Sequence, residues 1–259
     1  MKKLIQTILI LFFIISCSKD DNLLQPAKLD KPTAMNVFCQ NSSNDILMRV
    51  EYEYDNGNLI TETTFYNGDI QSKTTFEYNS ANQLILEVYE TDWGKTEKTF
   101  FYNEFNQLIN IKYKFFDYDS NGQVTNESES EAPKEYENNQ LVKEWAYWGG
   151  FSTYEYKDGK VVTKVDYTKT GEKYHITTYK YSGDLLIEEK KETKVGSLIY
   201  LKSYKYDSHN RLTTIQDGEN IIEENDYVDK RLIEKRTYYF GIDPGFDVCY
   251  GNYIYRYEY

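Results

Sequence analysis

The sequence predicts an all-β fold, a long antiparallel meander of β-hairpins curled into a barrel- or cocoon-like shell. Three observations predict it. A tyrosine-centred unit recurs nine times, as in Tyr52-Glu-Tyr-Asp-Asn-Gly-Asn-Leu59, Phe76-Glu-Tyr-Asn-Ser-Ala-Asn-Gln-Leu84 and Tyr204-Lys-Tyr-Asp-Ser-His-Asn-Arg-Leu212. Self-similarity of this kind marks an array of supersecondary units rather than a one-off globule. The segments between turns alternate with period two, so that Phe76 and Tyr78 share a face and Tyr253, Tyr255, Tyr257 and Tyr259 share another. Finally, Asn56-Gly57, Asn67-Gly68, Asp158-Gly159 and Asp217-Gly218 lie between these segments, and such pairs supply the positive φ angles of tight hairpins.

Three segments divide the chain: residues 1–17, a signal peptide; 18–35, a flexible tether; and 36–259, the β-repeat domain. In the first, Lys2 and Lys3 precede an apolar core from Leu4 to Ile15. Its uninterrupted apolar stretch, Ile8 to Ile15, is too short to span a bilayer and fits a secretory signal. Ser16-Cys17 follows directly. The tether carries Pro26 and Pro32 and no alternation.

In the array, the third residue of each unit falls at Tyr54, Tyr78, Tyr102, Tyr118, Tyr136, Tyr156, Tyr181, Tyr206 and Tyr227, at spacings of 16 to 25 residues. That is two strands and two turns per unit, or roughly eighteen to twenty strands in all. So wide an open sheet rarely survives without curling, and closure also removes exposed edges. The acidic, Ser-rich stretch from Thr125 to Pro133 is expected as a long hairpin loop. Glu62, Glu77, Lys98, Lys180 and the run Glu188 to Glu192 are expected on the outward face. Cys39 and Cys249 flank the array and form a candidate disulfide in an oxidising compartment.

Two resemblances follow from these residues. The basic, apolar, small-residue-Cys order ending at Cys17 resembles the lipobox of bacterial lipoproteins, which implies lipidation of Cys17. The stretch Ser18-Lys19-Asp20-Asp21-Asn22 is similar to the export signal that places lipoproteins of some Gram-negative bacteria on the outer face of the outer membrane. The repeat itself resembles the YD (RHS) repeat, best in Tyr52 to Leu59 and Tyr204 to Leu212. That resemblance implies a β-shell. In large toxins of that family the shell encloses a toxic C-terminal piece and closes with an Asp-Pro-x-Gly element. Here the array runs to Tyr259 and Asp243-Pro244-Gly245 matches that element only in part. The chain also resembles uncharacterised lipoproteins described as porin-like β-barrels. None of these resemblances implies a substrate.

Composition narrows the function. The net charge of −12 excludes a basic footprint for nucleic acid. His175 lies on a strand and His209 in a turn, and neither neighbours a second ligand at metal spacing. No nucleophile elbow or phosphate loop is present. The expectation is therefore a protein that is not an enzyme and has no cofactor. Asp117, Asp119 and Asn121, with Gly122 sixth, match the first half of a calcium loop, but the twelfth position is Ser128 rather than Glu. Trp93, Trp145 and Trp148 fall at or near turns and are the candidate ligand-binding residues, since sugar sites use exposed aromatic faces. The expected role is a lipid-anchored surface module that binds a glycan or another surface protein. A glycan-binding accessory lipoprotein of a polysaccharide-uptake system and an outer-membrane-inserted barrel are the alternatives.

Overall fold

The structure, a computed structural model, describes residues 31–39, 42–238 and 252–259. The predicted signal peptide with Cys17, most of the tether, and Cys249 lie outside the described residues. Nineteen strands follow one another. They are β1 (Ala34–Cys39), β2 (Ser42–Asp55), β3 (Asn58–Tyr66), β4 (Asp69–Tyr78), β5 (Leu84–Thr91), β6 (Gly94–Tyr102), β7 (Leu108–Tyr118), β8 (Val124–Glu131), β9 (Lys134–Glu137) and β10 (Gln140–Trp145). The series continues with β11 (Phe151–Lys157), β12 (Lys160–Tyr167), β13 (Lys173–Ser182), β14 (Leu185–Thr193), β15 (Leu198–Tyr206), β16 (Leu212–Asp217), β17 (Asn220–Val228), β18 (Arg231–Thr237) and β19 (Tyr253–Glu258). No helix occurs among the described residues. β1 begins at Ala34, two residues before the expected boundary at residue 36.

All nineteen strands belong to one antiparallel meander. The sheet curls back on itself, because β1 pairs with β2 on one side and with β19 on the other. It does not close strand against strand into a barrel. β8 pairs with β7, β9 pairs with β10, and no ladder joins β8 to β9; the chain links them end to end through Ala132 and Pro133. The tightest apolar packing lies at the β19–β1–β2 seam, where Ala34, Val37, Phe38, Val50 and Ile254 are buried. Cys39, buried in the same seam, is disulfide-bonded.

Each motif hairpin carries a β-bulge at one fixed place. Glu53 faces Thr61 and Tyr54 faces Leu59, so Ile60 is the extra residue. The same register shift precedes Tyr78, Tyr102, Tyr156, Tyr181, Tyr206 and Tyr227. The extra residue is then Ile85, Ile109, Val162, Ile187, Thr213 or Ile233. All are β-branched and favour extended backbone. A bulge bends its strand and increases local twist. Neighbouring hairpins part here: β3–β4 pairing stops at Thr61 and Thr75, and β5–β6 pairing at Leu86 and Thr99.

The motif tyrosine fills that opening. Tyr78, Tyr102, Tyr136, Tyr156, Tyr181, Tyr206, Tyr227 and Tyr259 each donate their hydroxyl to a carbonyl near the start of an earlier strand, the preceding one in every case but Tyr136, which reaches from β9 to β7. The acceptors are Leu59, Leu84, Leu108, Leu141, Val161, Leu186, Leu212 and Leu232, at 2.8–3.0 Å. Within a hairpin the turn joins the strands; between hairpins the tyrosine does. The residue just before that leucine or valine adds a lateral tie to the next turn. Asn58 donates to Asn82 Oδ1, Gln83 to Asn106 Oδ1, Gln107 to Asn139 Oδ1, Lys160 to the Gly183 carbonyl and Arg211 to the Asp229 carbonyl. These bonds define one end of the sheet, the motif rim.

Two expectations change. Tyr118 does not belong to this rim: β7 leads away from it, so Tyr118 lies at the opposite rim, where its hydroxyl reaches Glu90 at 3.4 Å. Tyr259 takes its place in the series. The stretch Thr125 to Pro133 is not a hairpin loop, because residues through Glu131 form β8 along β7. Asn126, Ser128 and Ser130 alternate there with Glu127, Glu129 and Glu131, a strand period that its polar composition conceals.

Candidate functional site

The two faces of the sheet have different chemistry from the one expected. Glu62 and Lys98 do not point outward with Glu77 and Lys180. Glu62 pairs directly with Tyr52, and Lys98 with Tyr113 and Glu87, so both lie on the face that carries the motif tyrosines. The reason is the strand register, which fixes the side of every second residue.

That face is tyrosine-rich and internally paired. Lys98 meets Glu87 at 2.5 Å. Lys134 meets Glu144 at 2.5 Å, and the Tyr154 hydroxyl donates to the same carboxylate. Burial works against the charge on Glu144, but Lys134, Tyr154 and Lys164 together hold its carboxyl below the usual carboxylate range. Asp166 is held low in the same way, against burial, by Ser152, Lys164 and Lys191. Tyr200 and Tyr204 both donate to Glu189. Burial, then these acids, push the Tyr154 and Tyr204 hydroxyls up, so they remain protonated donors. Glu62 is the exception. Burial and then Glu87 push its carboxyl up.

The opposite rim carries the candidate ligand residues, and the sheet does not gather all three. Trp93 sits in the β5–β6 turn, 53 % exposed, and its carbonyl accepts from the Tyr118 N–H. Trp145 ends β10 and Trp148 lies in the β10–β11 turn that follows, several strands away. Trp145 is half-buried: Lys143 Nζ lies 4.0 Å from its ring centre and Phe151 packs beside it at 6.2 Å. Phe151 in turn stacks on Tyr167 at 4.6 Å. Trp148 is 59 % exposed, and its indole lies directly over Gly150. A Cβ at Gly150 would meet that ring at 1.9 Å and the Tyr167 carbonyl at 2.8 Å, so only glycine lets the turn hold this shape.

Tyr147, between the two tryptophans, was not singled out by sequence. It closes over Tyr113 and Phe115 of β7 at 5.2 and 5.6 Å. Its carbonyl accepts from the Ser130 hydroxyl of β8. The β10–β11 turn therefore leans against β7 and β8. The period-two run from Asn126 to Glu131 was the signal that a strand lay there to be leaned on.

The calcium candidates are engaged in their own turn. Asp119 Oδ1 accepts from the Asn121 and Gln123 N–H groups, and Asp117 Oδ2 accepts from Asn126. Asn79, Asn103 and Asp207 brace their turns through the same two-bond geometry. In the last case the Arg211 N–H, with the Arg211 side chain and the His209 N–H, outweighs desolvation and draws the Asp207 carboxyl down to about 2. Among the described residues, no group of three or more His, Cys, Asp or Glu is disposed to hold a metal. A shallow cleft of about 220 Å³ lies at the motif rim, between Ile60, Phe76 and Tyr78 and the turn amides Asn56, Asn58 and Asn82.

No family model matches the chain. No curated protein matches it either. Among solved structures it is similar to a porin-like protein from Bacteroides uniformis, at 14% identity, over 87% of this chain and 95% of that one, with a TM-score of 0.37. A likeness of that size says nothing about what this chain does.

Proposed function

We propose that the chain is a non-enzymatic binding module, displayed at the outer membrane by a lipid on Cys17 and working through the rim opposite the motif turns. The observation that carries this reading is the contrast between the two rims. The motif rim is tied by repeated tyrosine and amide bonds. The opposite rim varies from turn to turn and exposes Ile70, Trp93, Tyr147, Trp148, Val195 and Leu198, against Phe105 and Val228 at the motif rim. Large apolar groups left in water in one region mark an interaction surface. Loops on a rigid scaffold are where binding residues concentrate. The anchor reading rests on Lys2, Lys3, the apolar core and Ser16-Cys17.

A glycan is the second reading, favoured by the exposed Trp148 ring beside Tyr147. An inserted barrel is disfavoured by the face opposite the motif tyrosines. There Arg49 pairs with Glu258, Arg256 with Glu234, and Lys112 and Lys114 with Glu129. Each Lys or Arg at the midplane of a bilayer would cost about 2–4 kcal/mol. A screen of glycans and isolated cell-surface proteins, run with Trp148→Ala, Trp93→Ala and the motif-rim control Phe105→Ala, tests the proposal. Binding that survives both tryptophan variants but not Phe105→Ala would move the working surface to the other rim.

A further inference from the structure

We propose that the free edge of β8 is a strand-addition site for an extended, basic polypeptide segment. The proposal rests on the binding-module reading and names the class of partner.

β8 has a ladder partner on one side only. Ile111 and Ala132 exchange both backbone hydrogen bonds, at 3.3 and 2.9 Å. Antiparallel alternation from that pair turns the N–H and C=O groups of Glu127, Glu129 and Glu131 away from β7, as far as the bulge at Thr125. β10 cannot cover them. It ends at Trp145, whose N–H bonds to the Pro133 carbonyl, and the chain then turns back toward β11. Seven of the eight β8 residues are exposed accordingly.

One end of this edge meets the Tyr147 turn, held there by the Ser130 hydroxyl. An added strand would find open backbone groups and, at one end, an aromatic surface. Alternating pockets and open main-chain groups are the two components of strand addition. Exposed edges are commonly blunted by Lys or Pro, and β8 has neither between Val124 and Glu131. It has Glu127, Glu129 and Glu131 on one face. β7 answers these with Lys112, which pairs with Glu129, and Lys114, which lies 3.0 Å from Glu129 and 3.7 Å from Glu127, while Glu131 takes the Asn110 amide. Like charges directly opposed destabilise a pair, so antiparallel pairing of two β8 edges is disfavoured. Three carboxylates against two lysines leave this edge net negative, so a strand with Lys or Arg at alternate positions fits both the open backbone groups and the charge.

The test uses a labelled peptide matched to the eight residues of β8, alternating lysine with valine or threonine, and its glutamate counterpart, read by fluorescence anisotropy. The lysine peptide is expected to bind at least about tenfold more tightly than the glutamate one. Glu127→Pro removes an outward N–H without touching the β7 ladder; it is expected to weaken binding at least about tenfold, and Glu127→Ala by less than about threefold. Glu127→Lys with Glu129→Lys keeps every backbone group and is expected to reverse the preference. Equal binding by Glu127→Pro and the parent would show plain charge attraction and overturn strand addition. Absence of peptide binding would overturn the inference alone, because the tryptophan variants test the wider reading separately. A dimer in ultracentrifugation that Glu127→Pro dissolves would assign the edge to a second copy and equally overturn it.

Discussion

The Tyr206 hydroxyl donates to the Leu186 carbonyl at 2.9 Å, across the one place where β14 and β15 have ceased to pair. Ladder pairing between them ends at Glu188 and Ser203, so this carbonyl would otherwise face the gap without a backbone partner. Tyr206→Phe keeps the ring and removes the bond. A loss of about 1 kcal/mol is expected, with faster amide exchange confined to the motif rim. Tyr118→Phe, at the other rim and without a carbonyl acceptor, is expected to be nearly neutral. Equal losses from the two would show that ring packing, not the hydroxyl, joins the repeats.

Gly150→Ala places a methyl group inside the volume of the Trp148 indole. Overpacking of this kind costs about 1–3 kcal/mol. The indole is expected to swing off the turn, which shifts tryptophan fluorescence and weakens any binding through Trp148. An unchanged spectrum would contradict the placement of the ring.

Glu144 and Glu62 are both half-buried carboxylates on the tyrosine face, and their pH behaviour should differ in sign. The carboxyl of Glu144 is lowered on folding, so its contribution is full above the unfolded value of about 4.3 and fades as pH falls through the lower folded value. Glu144→Gln is expected to cost about 1–3 kcal/mol at pH 7, since it strips Lys134 of its partner, and less in acid. Thermal melts across pH measure this directly.

Glu62 is raised on folding, so its ionised form opposes the fold at neutral pH and the opposition vanishes as the group protonates. Glu62→Gln is expected to raise the melting temperature at pH 7 and to leave it unchanged below about pH 4. A loss of stability at pH 7 would mean that the carboxylate has a favourable role.

Reduction of the Cys39 disulfide should loosen the β19–β1–β2 seam, at a cost of about 2–4 kcal/mol. Non-reducing peptide mapping is expected to join the Cys39 peptide to the one containing Cys249.

Much of the fold was legible because the repeat encodes it locally. The extra residue of the bulge is β-branched after the motif leucine, as at Ile60 and Ile187, and the turn takes Asn56 at φ 46° before Gly57 at φ 83°. Tyr118 was misplaced even though the chain held a clue. Its spacing of 16 residues from Tyr102 is the shortest in the array, as a single strand rather than a hairpin requires. β8 was missed because Ser and Glu hide a strand period that apolar residues would have announced.

The sequence by itself determined the strands, their turns and the tyrosine spacing, because each depends on residues a few positions apart. Only the tertiary structure decided that β8 is paired on one side alone, which face receives Glu62 and Lys98, and that Tyr147 leans on Tyr113 and Phe115. Those features depend on register and on contacts between distant strands, where a one-residue slip reverses every side chain. The far-rim tryptophans were visible in the sequence; the open edge beside them was not.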